Sequence, residues 1–524
     1  MGVVLAVVFG AANAYLGLKV GMTVSASIPA AVVSMGVLRL LFRRGSVLES
    51  NLSQTIGSAG ESVAAGAVFT LPALFLWAGE GRCALPDAWM VSLVSLVGGL
   101  LGVFFMIPIR KALIAGGREN LPFPEGTACA DVLHAGDGGG KGARAGIAGF
   151  GAGAMLTPAL SFLHVPLSPA LLGVGWIVGP RIGALMVSGS ALARFALVPI
   201  AAHVCSCDLS TAWSAHVKFV AVGAIATAGF ISLFRSLPTL LESMAHRKGR
   251  DNGNLPEAEH RDLPPLVVWG GVLVLVVTAA LVTQIPVGFV GASLIAVLGF
   301  FFATVAARIC GLIGSSNSPV AGMTIATLLF AVPFLRLLPG GEGAFLAGTI
   351  TVGSVICLIC SIAGDTAQDL KTGALVGATP RVQQLGEVVG VVASSLAIGL
   401  VIKLMHAAWG FGSEAAPAPQ AMLMKSIVEC AYGGALPWGH LAIGAGLSLV
   451  ALALRVPVMA FALGTYLPFG TMLTVFVGGL IRTAALRKAA DRTAREKAGT
   501  LLSAGVIAGE GLAGIALALI AVCC

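Results

Sequence analysis

"WMVSLVSLVGGLLGVFFMIPI", residues 89 to 109, contains no charged side chain. At ~1.5 Å of rise per residue a helix of this length covers about 30 Å, the thickness of a bilayer's hydrocarbon core. Windows of the same kind recur at 3–18, 23–42, 58–79, 145–163, 168–186, 187–204 and 213–235, and again at 265–284, 287–307, 320–337, 344–364, 386–407, 437–454, 457–481 and 500–522. An aqueous core could not bury so many apolar faces, which excludes a soluble fold. The chain reads as an all-α polytopic membrane protein of about sixteen transmembrane helices.

Composition agrees. Of 524 residues, 57% are hydrophobic and 10% charged, and the mean hydropathy is +0.96. Glycine, at 70 residues, recurs in phrases such as "FGAGAMLTPA" (150–159) and "SLVGGLLGVFF" (95–105), which mark close approach between helices. The ten cysteines lie mostly in apolar runs and form no disulfide framework. "HVCSCD" gathers His203, Cys205, Cys207 and Asp208, but a tetrahedral metal site needs better separated ligand pairs, so neither metal nor cofactor is expected. The apolar start lacks a positively charged leader and runs straight into further membrane sequence, so it reads as a retained first helix.

The net charge is +8, with the basic residues at span ends instead of along one face, so they indicate topology and not nucleic acid. Arg39, Arg43 and Arg44 follow the second span, Arg110, Lys111 and Arg118 the fourth, and Arg247, Lys248 and Arg250 the eighth. Separated by even numbers of spans, all three sets belong on the cytoplasmic side. The polar segment 236–264 then reads as a cytoplasmic linker between an N-terminal half, 1–235, and a C-terminal half, 265–524. Arg482, Arg487, Lys488, Arg492, Arg495 and Lys497 also require the cytoplasm, which counting from the linker permits only if "AMLMKSIVECAYGGA" (421–435) crosses too, or if one span is re-entrant.

The halves echo one another in the same order. "GMTVSAS" at 21 returns as "GMTIAT" at 322, "QTIGSAGE" at 54 resembles "QQLGEVVG" at 383, and "LPF" at 121 returns at 467. The shared order suggests an internal duplication, parallel through the membrane if each repeat has an even number of spans.

Polar residues inside the apolar chain are the functional candidates, because a membrane carboxylate normally faces a cavity, a partner charge or a proton path. Gln54, Ser58 and Glu61 are spaced to share a helix face; Glu61 then reads as a cavity residue or as an interfacial helix cap. In "LPFPEGTACADVL" (121–133) the prolines break a helix and "PEGTA" restarts one, placing Glu125 near its positive end. At a cavity edge Glu125 would be poised to exchange a proton; the other reading is a cap in a loop. "GLIGSSNSPVAGMTIAT" (311–327) is a second interrupted element, where Asn317 and exposed backbone could meet solute; the other reading is a tight interhelical turn. Asp365 and Asp369 stand i, i+4 on one helix face.

The phrases "NAYLGLKVGMTVSASIPAAV", "QTIGSAGESVAAGAVFTLPAL", "LPFPEGTACADVL", "LLGVGWIVGPRIGAL", "GLIGSSNSPVAGMTIATLL", "DLKTGALVGATPRVQQ", "YLPFGTMLTVFVGGLIR" and "GVIAGEGLAGI" together resemble the oligopeptide transporter family, especially its prokaryotic branch related to the yellow stripe-like metal-chelate carriers. The resemblance runs from about residue 10 to 516 and implies about sixteen helices, with proton-driven uptake of small peptides or peptide-like metal chelates. Polar positions within or beside these phrases complete the candidates for substrate binding or coupling: Asn13, Lys19, Gln54, Glu61, Glu125, Asn317, Asp365, Asp369, Lys371, Gln383, Glu387, Tyr466 and Glu510. The chain begins nearer its first apolar run than members of the family commonly do, leaving that span's ends open.

No G-x-x-x-x-G-K-[ST] phosphate loop is present, so an ion gradient is the simplest energy source. The expected partners are solute, protons and lipid, the expected site the cytoplasmic (inner) membrane of a prokaryote, and a homo-oligomer is compatible. The competing reading is an intramembrane prenyltransferase-like enzyme holding Mg²⁺ through Asp365 and Asp369, but no second Asp-rich motif supports it.

Overall fold

The computed structural model describes residues 1–42, 46–114, 121–136, 141–162, 168–228, 231, 261–315, 318–336, 341–433, 437–487, 489 and 491–523. Among these residues the regular structure is helical, with no strand. The first half contains α1 (Gly2–Val20), α2 (Ser27–Phe42), α3 (Val47–Val68) continued by α4 (Pro72–Gly79), α5 (Ala88–Leu113), α6 (Pro124–Gly136), α7 (Lys141–Phe162) and α8, which runs from Pro169 through a π-helical turn to Val204. A ninth segment, α9, spans Leu209–Ala228. The second half contains α10 (Pro265–Leu281), α11 (Gly288–Ile313), α12 (Val320–Leu335), α13 (Gly341–Val376), α14 (Pro380–Trp409), α15 (Pro419–Gly433), α16 (Trp438–Ala453), α17 (Val458–Tyr466), α18 (Phe469–Arg487) and α19 (Arg492–Cys523).

Among the described residues, nine helical segments are long and apolar enough to cross a bilayer and five shorter apolar helices accompany them. This is the all-α polytopic membrane architecture that the hydropathy predicts. α13 and the α3–α4 segment form its centre, with 89% and 83% of their apolar windows buried against 22% for α18. The glycine phrases serve packing: a Cβ on Gly153 of α7 would lie 2.3 Å from Val506 O of α19, and one on Gly509 would lie 2.2 Å from Phe150 O. Only glycine allows the two backbones to meet so closely.

Three expected span boundaries are corrected. The span expected from 23 begins at Ser27, because Gly21 ends α1 in the left-handed region (φ 71°) and residues 22–26 are not helical. The side chain of Asn13 holds that stretch like a neighbouring strand, accepting from Val24 N at 3.2 Å and donating to Val24 O at 3.2 Å. The spans 168–186 and 187–204 are one segment broken at Gly179, whose φ of 82° and ψ of 169° precede Pro180. Residues 172 and 175 pack on 475–478 and Trp176 reaches Gly499, whereas Gly183 and Gly189 return along Phe476 and Phe461, so α8 folds back on itself. The span 457–481 is interrupted at Leu467 and Pro468. An additional helix, α15, occupies the stretch around 421–435 that the charge distribution singled out.

The two ends of the bundle are fastened by charge. At one end the guanidinium of Arg110, 1% exposed, bonds Asp262 at 2.7 and 3.1 Å, and Gln384 joins the same carboxylate at 2.7 Å. Residues 236–260 of the expected linker lie outside the described residues. At the other end Arg82 pairs with Glu342 and Glu429, and Lys425 bonds Glu429 at 2.7 Å and Glu80 at 2.9 Å.

Candidate functional site

A cavity of about 220 Å³ lies where several helices are interrupted. The extended segment after α1 (Gly21, Met22, Thr23, Ser25), the break between α11 and α12 (Ser315, Ser318, Pro319) and the starts of α15 (Gln420) and α17 (Pro457) all reach it. Breaks at membrane depth survive only where protein or water satisfies their backbone, and here they face one cavity. Asn317 lies outside the described residues.

Glu61 lines this cavity from within α3. Its Oε1 accepts from Asn13 Nδ2 and its Oε2 from Ala26 N at 3.2 Å, so one carboxylate ties α3, α1 and the extended segment together. The interfacial-cap reading of Glu61 is corrected: α3 is capped by Ser46 and Glu49 in a reciprocal capping box, leaving Glu61 in mid-helix. The predicted face of Gln54, Ser58 and Glu61 exists, and it meets the predicted face of Asp365 and Asp369 on α13. Ser58 Oγ donates to Asp365 Oδ2 at 2.6 Å, and Gln54 Nε2 donates to Asp369 Oδ1 at 2.6 Å. Ser27, at the start of α2, reaches both, lying 2.8 Å from Ser58 Oγ and 3.4 Å from Asp369 Oδ1.

α14 closes this group. Gln383 Nε2 donates to Asp369 O at 2.9 Å and to Thr55 Oγ1 at 3.4 Å. Glu387 is wholly buried, with Thr366, Asp365 and Asp369 as its polar neighbours. Glu61, Asp365, Asp369 and Glu387 are each at most 4% exposed. Their charged neighbours include one another and Glu125.

Glu125 stands in the first turn of α6, with Pro124 at the helix start as the sequence suggests. Its Oε2 accepts from Ser315 N at 3.1 Å and from Ser315 Oγ, so the carboxylate caps the broken end between α11 and α12. Phe123 N donates to Gly311 O at 2.8 Å, fixing the entry to α6. Gln368, which the sequence reading missed, accepts from Gly126 N at 2.8 Å and donates to Cys310 O at 2.5 Å. The available signal was its position between two membrane aspartates. Lys371 lies 5.9 Å from the Phe123 ring centre.

Three predicted residues are elsewhere. Glu510 of α19 accepts from Ser168 Oγ, from Ala170 N at 2.6 Å and from Tyr15 OH at 3.3 Å, while Lys19 Nζ lies 3.7 Å away. Tyr466 lines a separate cavity. Asp208 of "HVCSCD" caps α9 instead of joining a metal site; the hydroxyls of Ser210 and Thr211 hold its carboxyl well below the usual carboxylate range. Among the described residues, no group of three or more His, Cys, Asp and Glu side chains could hold a metal ion.

Comparison with known proteins gives a consistent result. The family model described as OPT oligopeptide transporter protein matches residues 1–165 and 145–521. A Haemophilus influenzae protein named for oligopeptide transport is 32% identical over an alignment of 592 positions that covers 97% of this chain and 92% of that protein. Two Oryza sativa subsp. japonica proteins named for metal-nicotianamine transport, YSL5 and YSL13, are 27% and 26% identical over 48% of this chain, and over 40% and 36% of their own lengths.

Proposed function

Since this chain belongs to the OPT oligopeptide transporter family, an integral multi-pass membrane transporter and not an enzyme, we propose that it is a proton-coupled importer of small oligopeptides or peptide-like metal chelates in a prokaryotic cytoplasmic membrane. The prenyltransferase reading of Asp365 and Asp369 falls with the family. On this proposal the Arg110 end faces the cytoplasm, the Arg82 end faces outward, and the halves 1–235 and 265–524 descend from one repeat joined by a cytoplasmic linker.

The observation that carries the reading is Glu61: it lines the cavity and is also part of the buried carboxylate group. Holding adjacent buried carboxylates charged together is costly, so the group is suited to taking up and releasing positive charge. Solute entering among the broken helices would disturb the Asn13, Ala26 and Glu61 contacts. Coupling requires that solute and proton favour the same inward-releasing conformation, because a ligand shifts an equilibrium only through its differential affinity. Glu125 belongs to the same charge neighbourhood and shapes the cavity wall through Ser315.

The test is uptake by proteoliposomes under an imposed inward proton gradient without nucleotide. Uphill accumulation of a peptide or chelate that collapses with a protonophore is expected. Uptake indifferent to the gradient, or dependent on nucleotide, would overturn the proposal.

A further inference from the structure

A second cavity, of about 450 Å³, lies beside the Leu467–Pro468 break. Arg194 from α8 and Glu414 from the α14–α15 loop both line it. Both side chains are exposed, and neither makes a hydrogen bond or ion pair among the described residues. Trp213 and Tyr466 supply an aromatic wall, their ring centroids 6.1 Å apart. Arg194 sits in a π-helical turn, Ala193–Leu197, and Trp213 in another, Ala212–Val217. Such turns cost helical regularity and concentrate at functional sites; here two independent ones converge on one cavity.

The cavity also lies in sequence with the inner one. α17 contributes Met459 and Leu463 to the inner cavity and Tyr466 to this one, while Pro417 lines this cavity and Gln420 the inner. The loop carrying Glu414 follows α14, at the end of that helix opposite Gln384 and the Arg110–Asp262 pair. On the proposed orientation this is the outer face.

Resting on the transport reading, we propose that this cavity is an outer entry subsite for a peptide with free termini. Glu414 receives the terminal ammonium, Arg194 the terminal carboxylate, and Trp213 and Tyr466 pack against the chain between them. The volume falls in the range of small-molecule pockets, roughly 300–1,000 Å³, and two opposite charges on one cavity favour a solute bearing both signs. Arg suits the carboxylate because its fork can bond both oxygens.

The test compares uptake of trialanine, N-acetyl-trialanine and trialanine amide by full-length protein in proteoliposomes. Arg194→Gln should raise KM for trialanine about tenfold, with Vmax little changed, and leave the amide unaffected. Glu414→Gln should do the same for trialanine and leave the acetylated peptide unaffected. Thermal melting in detergent checks each variant's fold. Should Arg194→Gln melt abnormally, Arg194→Lys takes its place and should give an intermediate KM, because it keeps the charge and loses the fork. Variants with wild-type KM for all three probes overturn the subsite and leave the transporter standing. A wild-type protein that carries none of the three overturns the peptide-transport reading and the subsite with it.

Discussion

Glu510 accepts a hydrogen bond from the backbone N–H of Ala170 at 2.6 Å, joining the middle of α19 to the start of the folded-back α8. Ser168 Oγ and Tyr15 OH donate to the same carboxylate, so three donors lose their acceptor if it is removed. Each buried donor left without a partner costs about 1–3 kcal/mol. Glu510→Ala should therefore lower the thermal midpoint in detergent markedly, and Glu510→Gln, which keeps an accepting oxygen, should lower it less. Equal midpoints for the two variants would show that the carboxylate does not hold α8.

The α7–α19 contact makes a sharper stability prediction. A Cβ on Gly509 would meet Phe150 O at 2.2 Å, backbone that cannot swing aside, whereas one on Gly151, also in α7, has nothing within 4 Å. Gly509→Ala should reduce the folded fraction seen by fluorescence size exclusion. Gly151→Ala should be neutral or add up to about 1 kcal/mol, the gain in helix propensity. A well-folded Gly509→Ala protein would mean that the helices can separate without loss.

These glycines illustrate what the sequence discloses. Apolar windows and small residues are local signals, so the helical membrane fold and its close packing follow directly from them. The i, i+4 aspartates and the Gln54–Ser58–Glu61 spacing likewise identify faces. That those faces meet, through Ser58 and Asp365, depends on contacts separated by 307 residues, which no spacing rule reaches. The fold-back at Gly179 stays hidden because hydropathy is the same on both sides of a glycine. The extended segment after Gly21 is hidden for another reason: it is held by Asn13, a side chain one helix away in space and eleven residues away in sequence. The "GMT" echo is likewise a likeness of sequence more than of conformation, extended after Gly21 and helical in α12.

Orientation can be tested independently of transport. A single cysteine at Asn252, in the polar segment between the halves, should react with an impermeant maleimide in inside-out vesicles and not in intact cells. Labelling in intact cells would reverse the membrane sidedness and place the Arg82 cluster inside.

The last prediction separates the carboxylate that lines the cavity, Glu61, from Glu125, which holds the lining residue Ser315. Glu61 is 4% exposed, faces Asp365, and holds Asn13 and Ala26 N; Glu125 holds Ser315. Glutamine preserves shape and an accepting oxygen at either position while removing the carboxylate. At Glu125 that oxygen can still accept from Ser315 N, so Glu125→Gln should retain uphill accumulation with an altered KM. At Glu61 the same change removes the cavity-facing member of the carboxylate group, so accumulation driven by a proton gradient should fall to equilibrium while solute exchange at equal concentrations persists. Counterflow and gradient-driven uptake, measured on the same proteoliposomes, distinguish lost coupling from lost binding. Should Glu125→Gln uncouple and Glu61→Gln accumulate normally, the proton site moves to the start of α6, and Glu61 becomes the residue that holds the extended segment in place.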